Sequence, residues 1–316
     1  MLKSHCIYHI YPGGPMKHIF IINPAAGKGK SVELIPFIQE YFKNRDQEDL
    51  IVEVTRHPGH AAELARKYSQ GEPCRIYSIG GDGTVNEIVN GMAGSSAALG
   101  VIPTGSGNDF IRSLHSETEV NTIITRTIEG IEKSMDLARV NDKYFVNISS
   151  IGFDANVVYN AELFKKKPGI TGSMAYLLSI IYTVFKHRIC HIEVHIDGEK
   201  TNMKALLVAV ANGRYYGGGM MPAPDARLDD GLLDVCLVSE VSRLEILSLF
   251  PKYMKGRHGV IKQVSFKKCQ RVKILSDEEF CLNIDGEIVA ARCADFEIIR
   301  SGIKVILPCQ ELKPQA

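Results

Sequence analysis

Short apolar runs that end in glycine- or asparagine-rich turns, each followed by a helical stripe, recur four times in the first part of the chain. His18-Ile19-Phe20-Ile21-Ile22 runs into Asn23-Pro24-Ala25-Ala26-Gly27-Lys28-Gly29-Lys30-Ser31, after which Val32, Leu34, Ile35, Ile38, Tyr41 and Phe42 recur at helical spacing, with Pro36 near the first turn. Ile51 to Thr55 alternates as a strand, and Gly59 to Tyr68 reads as a helix packing through Ala61, Ala62, Leu64 and Ala65. Arg75 to Ile79 form a third strand, closed by Gly80-Gly81-Asp82-Gly83-Thr84-Val85-Asn86-Glu87; Ile88, Val89 and Met92 then predict a helix starting near Thr84. Ala97 to Ile102 is the fourth strand, Pro103-Thr104-Gly105-Ser106-Gly107-Asn108-Asp109 its turn, and Phe110, Ile111 and Leu114 open the next helix. Four such units predict a doubly wound parallel sheet, whose ligands sit beyond the carboxyl ends of the strands. Three of those ends carry glycine, threonine or lysine turns, the kind of loop that presents backbone N–H groups to a phosphate at a helix start.

Beyond Met135 to Val140 the pattern changes. Tyr144 to Ile148, Ile192 to Ile196, Ala205 to Val210, Leu233 to Val238, Arg271 to Leu275 and Phe296 to Ile299 are short strand-like runs. Asn141-Asp142, Asp197-Gly198, Asp230-Gly231 and Asp285-Gly286 supply turns between them. This predicts a mostly antiparallel β-sandwich, interrupted by helices at Ser173 to Lys186 and Ser242 to Tyr253. Ile303 to Leu307 is apolar and is expected to return to the first domain. The expected division is a leader over 1–15 without fixed structure, with Met16 as an alternative start, a nucleotide domain over 16–138 joined by 301–316, and the sandwich over 139–300.

Composition narrows the function. A formal net charge of +1 argues against a dedicated nucleic-acid binder. The eight cysteines are scattered, form no C-x-x-C pair and fit reduced thiols of a cytoplasmic protein. No apolar run approaches the ~18 residues of a membrane span, and the first fifteen residues lack a signal-peptide core. The apolar stretch after Lys165-Lys166-Lys167 reads as a core helix, with contact to a membrane or lipid tail as the alternative. His187, His191 and His195 are four apart, but Ile192, Val194 and Ile196 alternate between them, so His191 and His195 belong on the wet face of a strand rather than on a metal.

Three familiar motifs fail on spacing. A P-loop ending in Gly29-Lys30-Ser31 needs glycine at 24, where Pro24 stands. A dinucleotide fingerprint started at Gly81 needs glycine at 86 and meets Asn86; started at Gly105 it meets Phe110. An EF-hand across Asp225, Asp229, Asp230 and Asp234 is blocked by Arg227 and Asp230.

Asn23 to Gly27, Gly80 to Glu87 and Pro103 to Phe110 together resemble the diacylglycerol kinase catalytic family, within it the bacterial soluble lipid kinases. Gly152-Phe153-Asp154-Ala155, Ala223 to Leu233 and Asn283-Ile284-Asp285-Gly286-Glu287 match its second domain in order. The resemblance implies a phosphofructokinase-like α/β domain, a β-sandwich and phosphoryl transfer from ATP to a lipid hydroxyl with Mg²⁺ in the cleft between them. It places ATP against the loop Asn23, Pro24, Ala25, Ala26 and Gly27, against Thr55, against Gly80, Gly81, Asp82, Gly83, Thr84, Val85 and Asn86, and against Thr104, with Lys28 neutralising phosphate charge. It places nucleotide magnesium at Asp82, Asp109 and Asp136, partly through water. A second, structural Mg²⁺ falls on the Asp230 carboxylate and the carbonyls of Arg227 and Leu232. Asp285 and Glu287 become the catalytic carboxylates; in an extended segment residues two apart face the same way, so both line a cleft. Partners are then a lipid at a membrane surface and, as an open alternative, a second copy of the chain. An NAD kinase, a sphingoid-base or ceramide kinase and a non-catalytic lipid- or nucleotide-binding regulator remain as rivals.

Overall fold

The computed structural model describes residues 16–43, 45, 48–105, 107–114, 119–167, 170, 172–186 and 189–309. The expected leader and His187 lie outside the described residues. The chain divides into two compact units, one running up to Met135 and resuming at Gly302, the other Asp136–Ser301.

The first unit alternates β1 (Met16–Ile22), α1 (Ile35–Phe42), β2 (Glu48–Val54), α2 (His60–Ser69), β3 (Cys74–Gly80), α3 (Asp82–Met92), β4 (Ala98–Pro103), α4 (Asp109–Leu114) and α5 (Val120–Ile128). The strands lie in the order β4-β3-β1-β2, all parallel, and Lys304 and Val305 pair in parallel with Ala98 and Leu99. Strands buried on both faces read as unbroken apolar runs, which is why Ile19 to Ile22 are all at 0% exposure. Phe20, Ile22, Tyr77 and Ile79 pack under α1 and α5. Ile19, Ile21 and Ile76 point the other way, toward the face where α2 and α3 pack on each other and on β1 and β3.

The second unit takes β5 (Ile131–Val140) from Asp136 on, then β6 (Lys143–Phe145), β7 (Ile148–Gly152), α6 (Phe153–Lys165), α7 (Gly172–Lys186), β8 (Cys190–Ile196), β9 (Glu199–Ala211), β10 (Leu233–Ser239), α8 (Arg243–Met254), β11 (Val264–Cys269), β12 (Arg271–Ile284) and β13 (Glu287–Leu307) up to Ser301. Its pairings are antiparallel. The registers set β7 and β8 end to end between β9 and β12. Alternate residues of β9 serve two cores: Val208 and Val210 pack strand against strand, Leu207 and Ala209 pack beneath the helices. Asp197-Gly198 and Asp285-Gly286 form two-residue hairpin turns with positive φ at both positions (45° and 94°, 47° and 100°).

Several expectations change here. The predicted strand Tyr144 to Ile148 is split into β6 and β7, because the amides of Val146, Asn147 and Ile148 turn to the Asp285 carboxylate. The run Phe296 to Ile299 is a fragment of the much longer β13, and neither β11 nor α6 is expected from the sequence. α8 starts where expected, with Ser242 and Glu245 forming a capping box. His191 is exposed and His195 partly so, flanking buried Ile192, Val194 and Ile196.

Candidate active site

The register sets the ends of β2, β1, β3 and β4 level: Val54 pairs with Ile22, Ile22 with Ile79, and Gly80 with Pro103. The loops leaving those ends are tied to one another. Asn23 donates its amide to the Ile79 carbonyl (2.9 Å) and its Nδ2 to Thr84 Oγ1 (3.0 Å), while its Oδ1 accepts from the Ala25 amide. Thr55 donates its amide to Ile22, and Thr104 and Gly105 donate theirs to the Gly80 carbonyl. Asn23 is therefore the joint of the first loop, with both ends of its side chain committed to the fold. Gly27, Lys28 and Gly29 all have positive φ (60°, 58° and 91°), which curls the loop, and a Cβ on Gly27 would come within 2.9 Å of the Thr104 carbonyl.

The helix α3 begins at Asp82 rather than Thr84, with Gly81 as its extended N-cap. Its first turn therefore aims unsatisfied N–H groups at the space beyond β3. Asp82 Oδ1 accepts the Asp109 amide (2.8 Å), so one carboxylate joins the starts of α3 and α4. A Cβ on Gly107 would stand 2.4 Å from Asp82 Oδ2 and 3.6 Å from Asp109 Oδ2, so these two oxygens flank a single glycine. Two carboxylates beside a bank of amides is a donor set that suits Mg²⁺ carrying phosphate. Glu87, at the end of the same sequence motif, does something else: it caps α2 by accepting the Gly59 and Ala61 amides.

Asp136 belongs to the second unit, and its carboxylate is spent on backbone. Oδ2 accepts from Gly231 (2.6 Å) and Oδ1 from Ser301 (2.9 Å). It thereby anchors the acidic loop. There Asp230 Oδ1 accepts the Leu232 amide, and Lys268 Nζ stands 2.9 Å from Asp230 Oδ2 and 3.0 Å from Asp234 Oδ2. The Asp230 carboxylate and the Arg227 and Leu232 carbonyls are all-oxygen donors that suit Mg²⁺, but an ion there must share Asp230 with the Lys268 ammonium.

Asp285 and Glu287 do not share an extended segment. Asp285 occupies the hairpin turn, and Glu287 is the first residue of β13. The Asp285 carboxylate accepts three amides, from Val146 (2.8 Å), Asn147 (3.1 Å) and Ile148 (3.0 Å), which fixes its orientation. Glu287 is exposed and pairs with Lys143 at 3.3 Å. The turn itself is held by Asn283, whose Oδ1 accepts the Gly286 amide and whose Nδ2 donates to Ser150.

One further acid is absent from the expected site residues. Asp154, at the first turn of α6, is buried beside a narrow apolar cavity bounded by Phe153, Val157, Tyr176, Leu207, Met220 and Phe250. Tyr216 donates its hydroxyl to Asp154 Oδ2 (2.7 Å) and lies 3.0 Å from the Tyr253 hydroxyl. Burial raises the Asp154 carboxyl to about 6, against which the Tyr216 hydrogen bond works. Unfolding releases that acid to its usual value of 3.8, so the folded state holds its proton more tightly and stability falls as pH rises from about 4 to about 6, then levels. Asp154→Asn is therefore expected to melt near wild type at pH 4 and to gain about 2–3 kcal/mol above pH 7, since each tenfold difference in proton affinity is worth about 1.4 kcal/mol. Parallel thermal melts at the two pH values check this; equal gains at both would remove burial of the ionised carboxyl as the cause.

Comparison with known proteins agrees with this two-part layout. The family model described as the diacylglycerol kinase catalytic domain matches residues 17–140, and that of the YegS C-terminal NAD kinase beta sandwich-like domain matches 147–307. A diacylglycerol kinase of Bacillus subtilis (strain 168) is 28% identical over 291 residues, covering 91% of this chain and 95% of its own. One of Staphylococcus aureus (strain JH9) is 30% identical over 235 residues, covering 74% of each. The crystal structure of a candidate diacylglycerol kinase from Bacillus anthracis superposes with a TM-score of 0.74 at 25% identity, covering 95% of this chain and 97% of that one. The chain belongs to the diacylglycerol kinase catalytic family, phosphotransferases with an alcohol acceptor, with a YegS-type domain following the catalytic one.

Proposed function

We propose that the chain transfers the γ-phosphoryl group of ATP to the hydroxyl of diacylglycerol or a related lipid, with Mg²⁺. The observation that carries this reading is the meeting of three glycine loops at the level ends of β1, β3 and β4, with Asp82 and Asp109 flanking Gly107. Phosphoryl transfer asks chiefly for positioning and for positive charge around the transferred group. The α3 N-terminus supplies N–H donors at the end of β3, and Lys28 adds an exposed cation. Mg²⁺, when bound at Asp82 and Asp109, supplies charge neutralisation at the phosphates. Asp136, in the second unit, holds the Gly231 and Ser301 amides with its two oxygens.

In the second unit, Asp285 and Glu287 are the carboxylates assigned to the acceptor hydroxyl, one to take its proton and one to orient it. The cavity beside Asp154 is a narrow apolar one, and the Asp154, Tyr216 and Tyr253 side chains at its wall are hydrogen-bonded to one another. The test is transfer from [γ-³²P]ATP against a panel of diacylglycerol, monoacylglycerol, sphingosine, ceramide, phosphatidylglycerol and NAD. Label in diacylglycerol or monoacylglycerol is expected. Label confined to NAD overturns the lipid reading, and label confined to sphingosine or ceramide moves the acceptor to that class.

A further inference from the structure

Four aspartates crowd the stretch between Ala223 and Asp234, at 225, 229, 230 and 234. Carboxylates gathered in this way repel one another unless a cation lies among them. The fold supplies one. Lys268 sits on β11 opposite Asp234 of β10, in register with it. Its Nζ stands 2.9 Å from Asp230 Oδ2, 3.0 Å from Asp234 Oδ2 and 3.5 Å from the Asp225 carbonyl. An ammonium has three N–H donors, and three oxygens are within its reach. The Asp234 side chain is 8% exposed and that of Asp230 19%, so solvent and salt screen this cluster less than an ion pair on the open surface. Arg227, the basic residue within the stretch itself, turns instead to Asp229 at 3.4 Å, with its side chain 63% exposed.

What the ammonium holds reaches beyond the loop. Asp230 Oδ1 accepts the Leu232 amide, so both oxygens of Asp230 are taken, one by backbone and one by Lys268. The turn fixed in this way grips Asp136 twice. The Leu228 carbonyl accepts the Asp136 amide at 2.7 Å, and the Gly231 amide donates to Asp136 Oδ2. Asp136 in turn accepts the Ser301 amide through Oδ1. Asp136 and Ser301 are the first and last residues of the second unit. Lys268 therefore stands behind the clasp that joins the two ends of that unit. A Mg²⁺ at Asp230, with the Arg227 and Leu232 carbonyls, has to take a carboxylate oxygen from the ammonium, and Mg²⁺ sheds its own waters reluctantly. A cation tethered to β11 needs no such exchange.

We propose that Lys268 is the resident counter-ion of the acidic loop, filling the structural role that the family resemblance gives to a second Mg²⁺, so that the loop and its hold on Asp136 do not depend on a divalent cation. The inference concerns the second unit alone and stands or falls apart from the kinase reading. Backbone hydrogen exchange of the full chain, without nucleotide, reads it locally. Wild-type protein stripped with EDTA is compared with the same protein in millimolar Mg²⁺. The Gly231 and Leu232 amides, both held by carboxylates, are expected to exchange equally slowly in the two. Lys268→Met keeps an unbranched stem and removes the charge. In EDTA its Gly231 and Leu232 amides are expected to exchange roughly tenfold faster than in wild type. Mg²⁺, now free to reach Asp230, is expected to restore their protection, and Asp230→Asn added to Lys268→Met is expected to abolish that rescue. Wild-type amides that lose protection in EDTA and regain it with Mg²⁺ overturn the proposal and assign the loop to the metal; this comparison needs no variant and decides even where Lys268→Met folds poorly. Lys268→Met that keeps wild-type protection in EDTA also overturns it. So does a loss of protection that Mg²⁺ does not reverse, which reduces Lys268 to packing through its stem.

Discussion

Replacing Asp285 by asparagine is expected to lower turnover about 10²–10⁴-fold, the usual weight of a positioned acid–base group, and to destabilise the second unit at the same time. The second effect follows from the three amides its carboxylate accepts. Asparagine keeps one carbonyl oxygen for Asn147 and Ile148 and turns an NH₂ toward the Val146 amide. That leaves a donor without an acceptor at a residue only 2% exposed, at about 1–3 kcal/mol. In a unit of this size such a loss lowers the melting temperature by roughly 5 °C. A loss of activity in this variant is thus ambiguous unless melting is measured beside it. Glu287→Gln resolves the ambiguity: Glu287 is exposed and its ion pair is the solvent-facing one with Lys143, so its replacement leaves melting unchanged. Lower kcat in Glu287→Gln at wild-type stability identifies Glu287 as acting on the hydroxyl. Asp285→Asn that retains half of wild-type turnover removes Asp285 from the chemistry and leaves it as the clasp between the β12–β13 turn and β7.

The same pair shows what could be read from the sequence and what could not. Asp285-Gly286 is legible as a hairpin turn, and a turn is incompatible with the extended spacing that would point Asp285 and Glu287 one way; φ of 47° at Asp285 decides for the turn. The parallel sheet was legible because strands covered on both faces leave unbroken apolar runs, and its loops because glycines mark the carboxyl ends. α6 was hidden for a physical reason. It is covered on more than one side at its start, where Phe153, Asp154, Ala155 and Val157 are all buried, so no amphipathic period marks it. β11 was hidden by its composition: Ser265, Phe266, Lys267 and Lys268 are all exposed along it, and only its ends are buried. Asp136 reads in sequence as one more acid near a motif. Only the fold shows both its oxygens accepting amides from Gly231 and Ser301, residues far apart along the chain.

Gly105→Ala is expected to weaken nucleotide binding at least tenfold and to destabilise the first unit, because it drives apart two loops whose backbones meet at Gly81 and Gly105. A Cβ at Gly105 would stand 2.5 Å from the Gly81 Cα and 3.2 Å from the Gly81 nitrogen. No rotamer change relieves such a contact, so the 103–109 loop must move away from the start of α3. The Gly105 and Thr104 amides are then pulled from the Gly80 carbonyl they share. Overpacking of this kind costs about 1–3 kcal/mol. Gly83→Ala separates the geometric effect from the ligand. A Cβ there meets nothing within 4 Å, and α3 gains helix propensity worth about 0.5–1 kcal/mol, so this variant is expected to melt higher than wild type. If phosphate occupies the α3 N-terminus, the added methyl stands in its way and affinity for ATP falls despite the gain in stability. Titration of both variants with ATP and Mg²⁺, alongside thermal melts, reads the two effects separately. Loss of affinity in Gly105→Ala with none in Gly83→Ala moves the phosphate away from α3 and toward the curled loop at Gly27 to Gly29. Unchanged affinity in both removes the converging loops from nucleotide binding altogether, and with them the observation on which the kinase site rests.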